Sequence, residues 1–535
     1  MDAHLRRLIW PTRTSFRSVH RRQRNYDPPD PFEGLPSPFE ADNPFSRLRQ
    51  PRIQERLLAA LHAPGLSDLS PDEQFVVDQL VERAGDWGFD RFACGGDQDD
   101  WRGVPMLVIE RIQDMDIEQS RINWGGGRTS TSVVPPAHGS LAVQLRGRTE
   151  KSRRVCRDAL AAFGAGAHLV VSTEEALLRL RDEGGLRECN VVTPLEAGVL
   201  IGVWARATGR GGTFAHWVSA DHIYYWALSR AVTPAGWPGF AAFVRGNRVF
   251  PDGQRIEALA HSILARLDFL VEALDDLYAA WQRDTNNPTI DEIGSLFDTI
   301  VLRGWAIQDN VALLVGLWTG IDLSRPTDWS IHSNDWRGAV RRSGQAGRRA
   351  IDMMQASRLR LLATLGLRHH AVHREALGIV NLVSEEGTEV TRLFLPPDIS
   401  AEMRSRLRSA RQRPDAWGLS DDQPPHRMRH SIDHGGGLVD EFEEESRGGA
   451  YLDPMAFSAQ FVAAIADLAN AVFAALDPAH DPRLPEPLRR RALRTPEPRW
   501  AQPEVARELV LTSPLSGLVP WAQGAGSGPI DSSDT

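Results

Sequence analysis

Lysine is almost missing from this chain: of 61 Lys and Arg residues among 535, Lys151 alone is lysine. A phosphate-cradling Walker A loop requires Gly-Lys followed by Ser or Thr. Lys151 follows Thr149-Glu150, so P-loop nucleotide hydrolysis is excluded. Lysine Schiff-base chemistry would have to use the same residue, which sits in the charged run EKSRR. Cysteine is nearly as scarce. Cys94, Cys156 and Cys189 are odd in number and far apart, which leaves no disulfide framework and no paired-cysteine metal knuckle, and a reducing, cytoplasmic setting is expected. No unbroken apolar run of about 18 residues exists, so no membrane span is expected. The Gly-rich stretch WGGGRTSTS (124–132) lacks GxGxxG spacing and reads as a loop. A net charge of -9 with a pI near 6.0 argues against a general nucleic-acid coat protein and leaves room for a local basic cleft.

Arginine in place of lysine, together with abundant Ala, Gly and Pro, is the signature of a GC-rich bacterial genome. The length calls for two to four domains. Residues 1–50 read as a disordered Arg- and Pro-rich arm. Residues 51–250 mix short aliphatic strands, PMLVIE (105–110), SLAVQL (140–145) and HLVVS (168–172), with helices, which predicts an α/β or α+β domain of unassigned role. Two helix starts are marked by caps: Ser172 ahead of Thr173-Glu174-Glu175, and Thr193 ahead of Pro194 and Glu196.

Beyond residue 250 the apolar period becomes helical. Ile256, Leu259, Ile263, Leu267, Leu270, Leu274, Leu277 and Trp281 form one stripe, and Ile290 through Trp318 continue as a second. A third stripe runs from about Arg348 through Met354, Leu361 and Leu365 to Val372, and a fourth from Phe457 to Leu476 after Asp453-Pro454. Four amphipathic helices bury their stripes against one another, so residues 251–480 are expected to be an all-α bundle. An insertion at about 379–450 interrupts it: a β-hairpin at 379–396, a basic segment AEMRSRLRSARQRP, and a low-complexity loop HRMRHSIDHGGGLVDEFEEESRGG left without assigned structure. Residues 481–535, rich in Pro and then Gly and Ser, read as a disordered tail.

The third stripe ends in LRHHAVHRE (367–375). A helical bundle carrying Arg368, the polar His369, and His373 after four intervening residues resembles the HEPN superfamily over about residues 255–480. The resemblance implies metal-independent RNA cleavage by Arg368, His369 and His373 and no cofactor. It also implies a homodimer that brings two motifs together, and a toxin or effector role in a bacterial conflict or stress system with an antitoxin or other partner protein. Arg-x(4–6)-His pairs recur along the chain about as often as an Arg-rich composition alone produces, so context carries the assignment. Among these pairs beyond the N-terminal arm, only in those of Arg368 and Arg429 is the arginine followed by a polar residue, and Arg429 falls in the Gly-rich loop.

The chemistry is direct. Attack by the RNA's own 2'-hydroxyl needs a group of near-neutral pKa to move a proton, and a fixed cation for charge building on the phosphoryl oxygens. On one ideal helix Arg368 and His373 lie about 140° apart, which favours contributions from two subunits. Arg404, Arg408 and Arg411 would share a helical face able to meet RNA phosphates, and a solvated face accounts for them equally. Asp309 and Asn310, polar in an apolar helix, are candidates to orient Arg368 or His373. Other readings stay open: a metal site at the i,i+4 pair His369 and His373, which lacks a third ligand; a surface or capping cluster; and a non-enzymatic bundle that binds a partner or nucleic acid.

Overall fold

The computed structural model describes residues 57–84, 89–96, 100–112, 117–125, 128–133, 149–182, 190–208, 221–246, 252–283, 287–321, 329–368, 379–383, 389–420, 427–433, 439–445, 450–476, 486–487 and 503–518. The expected N-terminal arm, His369, His373 and SLAVQL lie outside them. The fold is mixed: mostly helical, with small sheets of which one is parallel.

That parallel sheet organises the first part. β1 (Leu58–His62) crosses through α1 (Pro71–Glu82) to β2 (Asp90–Cys94). Then come β3 (Asp100–Trp101), β4 (Val104–Pro105), and an antiparallel meander of β5 (Leu107–Ile112), β6 (Ile117–Gly125) and β7 (Arg128–Val133). α2 (Glu150–Gly164), β8 (Leu169–Val171), α3 (Glu175–Asp182), β9 (Val191–Val192) and α4 (Pro194–Ala207) follow. The strand order is β2-β1-β8-β9. Alternation along the strands sends Ala59, Leu61 and Ala93 into the cluster of α1 and α4, and Ala60, Phe92 and Cys94 into that of α2 and α3. Covered on both faces, the strands are apolar on both faces, as parallel sheets require. Of the stretch 124–132, read as a loop, residues 124–125 and 128–132 instead lie in the strands β6 and β7, where Thr and Ser suit an extended, largely exposed ladder.

The Thr193 cap is present in full: its hydroxyl accepts from the Glu196 amide at 3.3 Å and the Glu196 carboxylate accepts from the Thr193 amide at 2.7 Å. Glu196 also takes Arg181 Nη1 at 2.7 Å, both side chains buried. Ser172 differs from its expected role. It accepts from the Glu174 amide at 3.0 Å, and α3 begins only at Glu175.

The second part is helical. α5 (Asp221–Val232) and α6 (Gly236–Gly246) lead to the long antiparallel pair α7 (Gly253–Gln282) and α8 (Asn287–Thr319). α9 (Asn334–Arg342), α10 (Gln345–Leu362), the hairpin β10 (Ile379–Val383) with β11 (Glu389–Leu395), and α11 (Pro397–Ser409) come next. After β12 (Arg427–Asp433), β13 (Val439–Glu445) and β14 (Ala450–Leu452), α12 (Pro454–Ala475) threads the centre, packed on α10, α8, α7, α6 and α5. Asp453 caps it, accepting from the Met455 and Ala456 amides at 3.0 and 3.2 Å. By length and composition the helical stretches Thr289–Thr319 and Pro454–Ala475 are apolar enough to cross a membrane; their most apolar windows are 61% and 78% buried inside the protein. Burial on all sides accounts for that composition.

Three expectations are corrected here. The third helix does not run to Val372: α10 ends at Leu362, where Ala363 and Thr364 turn back on the Arg360 and Leu361 carbonyls at 3.2 and 3.0 Å, and a single helical turn resumes at 365–368. The low-complexity loop forms an antiparallel pair, with Arg427 opposite Glu445 and Arg429 opposite Glu443. Opposite-charge cross-strand neighbours favour such pairing without an apolar period. Residues 503–518, placed in a disordered tail, form α13 (Pro503–Leu511) and a buried extension through Leu515 and Ser516. Buried Arg206 on α4 holds that extension. It bonds Asp275 of α7 through two nitrogens, one at 3.1 Å, donates to the Thr512 carbonyl at 3.0 Å, and lies over Tyr224 of α5 at 4.2 Å. Burial pushes the Arg206 guanidinium down, but Asp275 and Tyr224 outweigh it and the net shift is upward. One apolar cluster therefore runs from Leu57 to Leu515.

Candidate functional site

Trp305, Gln308 and Asp309 share a face of α8 because helical neighbours recur at three and four residues. The turn at 365–368 brings Arg368 onto that face: Nη2 lies 3.5 Å from Asp309 Oδ2, and Cζ lies 4.8 Å from the Trp305 ring centroid. Arg368 stays half-buried, its side chain 35% exposed. Burial pushes the Asp309 carboxyl up, and Arg368 pulls it back down. Of the two polar residues expected to orient the motif, Asp309 meets Arg368, whereas Asn310 donates to Ser262 on α7 at 3.0 Å.

The same tryptophan faces a histidine. His332, in the segment before α9, has its ring 5.4 Å from Trp305 and donates from Nε2 to Gln308 Oε1 at 2.9 Å. Its Nδ1 is buried with no hydrogen-bond partner among the described residues. Burial pushes its pKa down to about 3, helped by the positive charges of Arg358, Arg406, Arg337 and Arg368. His332 is therefore a neutral imidazole at the centre of an arginine cluster. Arg358 of α10 is 6% exposed, and its bonding partner is the neutral Gln355 Oε1, at 3.2 and 3.3 Å. Burial and the neighbouring Arg337 and Arg341 push it down to about 10. Arg341 pairs with Asp352 at 3.1 Å, and Arg406 pairs with Glu402 while donating to the Leu362 carbonyl at 2.8 Å. Among the described residues Arg337 meets only Asn334 and the Ser333 carbonyl. Among the described residues, these five guanidinium groups thus pair with three carboxylates, those of Asp309, Asp352 and Glu402.

The expected phosphate-binding stripe is divided. Arg404 is 7% exposed and donates to the Ser420 carbonyl; Arg408 is exposed; Arg411 lies past the end of α11 in a left-handed conformation, φ 56°. Helical spacing no longer aligns Arg411 with the others. His369 and His373 lie outside the described residues, and with them the proposed proton-transfer group. Among the described residues no three His, Cys, Asp or Glu side chains come together to hold a metal ion. Sequence reasoning missed Arg358 and His332. His332 does close an Arg325-x6-His spacing, but Pro326 after the arginine set that pair aside.

A second polar cluster sits at the carboxyl ends of the parallel strands, where chain order reverses between β1 and β8. His62 Nδ1 and Ser172 Oγ are hydrogen-bonded at 3.0 Å, and both residues are fully buried. Burial pushes His62 down to about 4. Such switch points commonly receive ligands, but this pair is closed to solvent and reads as a sealed polar contact.

Neither known protein families, nor curated proteins, nor solved structures matched this chain in comparison. The chemistry available at the Trp305 corner is therefore read from its own groups: fixed cations in excess, one neutral imidazole, and a half-exposed arginine at the head of the motif.

Proposed function

We propose that this chain is a cytoplasmic, metal-independent endoribonuclease of HEPN-like type, with an α/β N-terminal part joined to a catalytic helical bundle and acting as a homodimer. The observation that carries the reading is Arg368, held half-exposed between the Asp309 carboxylate and the Trp305 face. A guanidinium fixed in this way meets phosphoryl oxygens without reorganising during reaction. In the proposed reaction the RNA 2'-hydroxyl attacks the adjacent phosphorus and gives its proton to an imidazole, assigned by the motif to His373. The 5'-oxygen leaves with a proton, and a 2',3'-cyclic phosphate remains. Arg368 stabilises the added charge on the non-bridging oxygens. Arg408 and Arg411, exposed at and just past the end of α11, would extend the phosphate track. A toxin or effector role with an antitoxin-type partner is consistent with this activity.

The surplus of arginine over carboxylate favours one second reading, a nucleic-acid-binding module without cleavage. Purified protein with EDTA and single-stranded RNA separates the two. The ribonuclease reading expects cyclic or 3'-phosphate ends, and a loss of about 10² to 10⁴ in rate in Arg368→Ala and His373→Ala with folding preserved. RNA bound and never cut supports the binding module. Cleavage abolished by EDTA, or unchanged in both variants, refutes the ribonuclease.

A further inference from the structure

Four buried arginines are matched by carboxylates: Arg181 by Glu196, Arg206 by Asp275, Arg230 by Asp268, and Arg283 by Glu292. Arg358 differs from these four. It is 6% exposed, among the described residues bonds the Gln355 amide oxygen and no carboxylate, and lies among Arg337, Arg341 and the other cations around His332. An uncompensated buried charge is strongly disfavoured, and neighbouring like charge adds to the penalty. A chain keeps such an arrangement where an anion from outside completes it. Among the described residues, five guanidinium groups pair with three carboxylates, a surplus of two charges, which matches a phosphate better than a single carboxylate.

We propose that the corner between α9, α10 and the Trp305 face of α8 is a phosphate-binding site, with Arg358 as its buried anchor and Arg337 as its second cation. Gln355 Oε1 accepts from Nε and Nη2 and so fixes the guanidinium plane. The remaining N–H groups are left for the anion. The inference rests on the ribonuclease reading only for the owner of the phosphate: an internal phosphodiester of RNA in that case, a terminal phosphate of a nucleotide otherwise.

The test uses the full chain in phosphate-free buffer at constant ionic strength. Inorganic phosphate is titrated while the His332 ring resonances and calorimetric heat are followed. The expected result is saturable binding with a His332 shift, weakened at least about tenfold in Arg358→Gln. Arg153→Gln, which alters an exposed residue of α2 outside the corner, stays within about twofold. Binding no stronger than that of chloride, or unchanged in Arg358→Gln, overturns the proposal. The wild-type titration decides the matter even if Arg358→Gln fails to fold. Competition then identifies the owner. A 5'-hydroxyl oligonucleotide with 2'-deoxy sugars displaces phosphate best if the site takes internal phosphodiesters, and a nucleoside diphosphate does so if it takes terminal ones. Cleavage is not required in any arm, so a failed ribonuclease assay leaves this result standing.

Discussion

Acidification should destabilise the Trp305 corner through His332. Its folded pKa, about 3, lies below the ordinary 6.5 because burial and four arginines disfavour the imidazolium. A depressed folded pKa means that the unfolded chain takes up the proton first. The stability contributed by neutral His332 is full above pH 6.5 and is lost as the pH falls from there towards 3. At about pH 5 the unfolded histidine is 1.5 units below its own pKa; at about 1.36 kcal/mol per unit the loss is about 2 kcal/mol. Asp268 works in the opposite direction. Burial raises its pKa to about 6, so its contribution is present in acid and lost as the pH rises through that value. Raw stability mixes these two with other shifted groups, His62 and Asp276 among them, and a variant isolates His332. His332→Phe keeps a ring against Trp305 and cannot titrate. Its stability deficit relative to the wild type, measured by chemical denaturation, should shrink by about 2 kcal/mol between about pH 7.5 and about pH 5. A constant deficit, or a His332 ring that titrates near its ordinary pKa by NMR, would refute the reasoning.

Removing one partner of the buried Arg206–Asp275 pair, as in Asp275→Ala, strands a charge that joins α4, α7 and the 503–518 extension. It should cost about 3 to 5 kcal/mol by denaturant unfolding. Gly304 packs directly beneath Phe461, so Gly304→Val should destabilise the bundle by about 1 to 3 kcal/mol through overpacking, visible as a lowered melting temperature. Asp309→Asn keeps the shape and removes the charge that steadies Arg368. RNA cleavage should fall by about 10² with little change in RNA affinity, and Asp309→Glu should recover part of it.

The long helices were legible because their apolar residues recur at helical spacing and their ends carry explicit caps: Thr193 with Glu196 for α4, Asp453-Pro454 for α12. The β10–β11 hairpin was legible as two β-branched runs around a turn. What failed depended on partners remote in sequence. LAALH at 58–62 is too short and too rich in Ala to announce a central strand; its identity comes from pairing with residues 90–94 and 169–171. LVLTSPLSGL was hidden by surrounding Pro and Gly, and only docking by α4, α5 and Arg206 makes it ordered core. Spacing led to Arg368 and correctly marked Asp309 as its neighbour. It had no means of placing Arg358 and His332 beside them, because α9 and α10 must fold back on α8 before those residues meet.

The central claim is that the 2'-hydroxyl of RNA is the nucleophile at the Arg368 site and that no metal takes part. It is tested most directly with an oligonucleotide cut by the wild type in EDTA, remade with a single 2'-deoxy sugar at the scissile position. The account predicts that cleavage at that bond stops while the oligonucleotide still binds, and that Arg368→Ala fails to cut either version. Cleavage of the deoxy-substituted bond would show that water or a metal-bound hydroxide is the attacking group, and the account would be wrong.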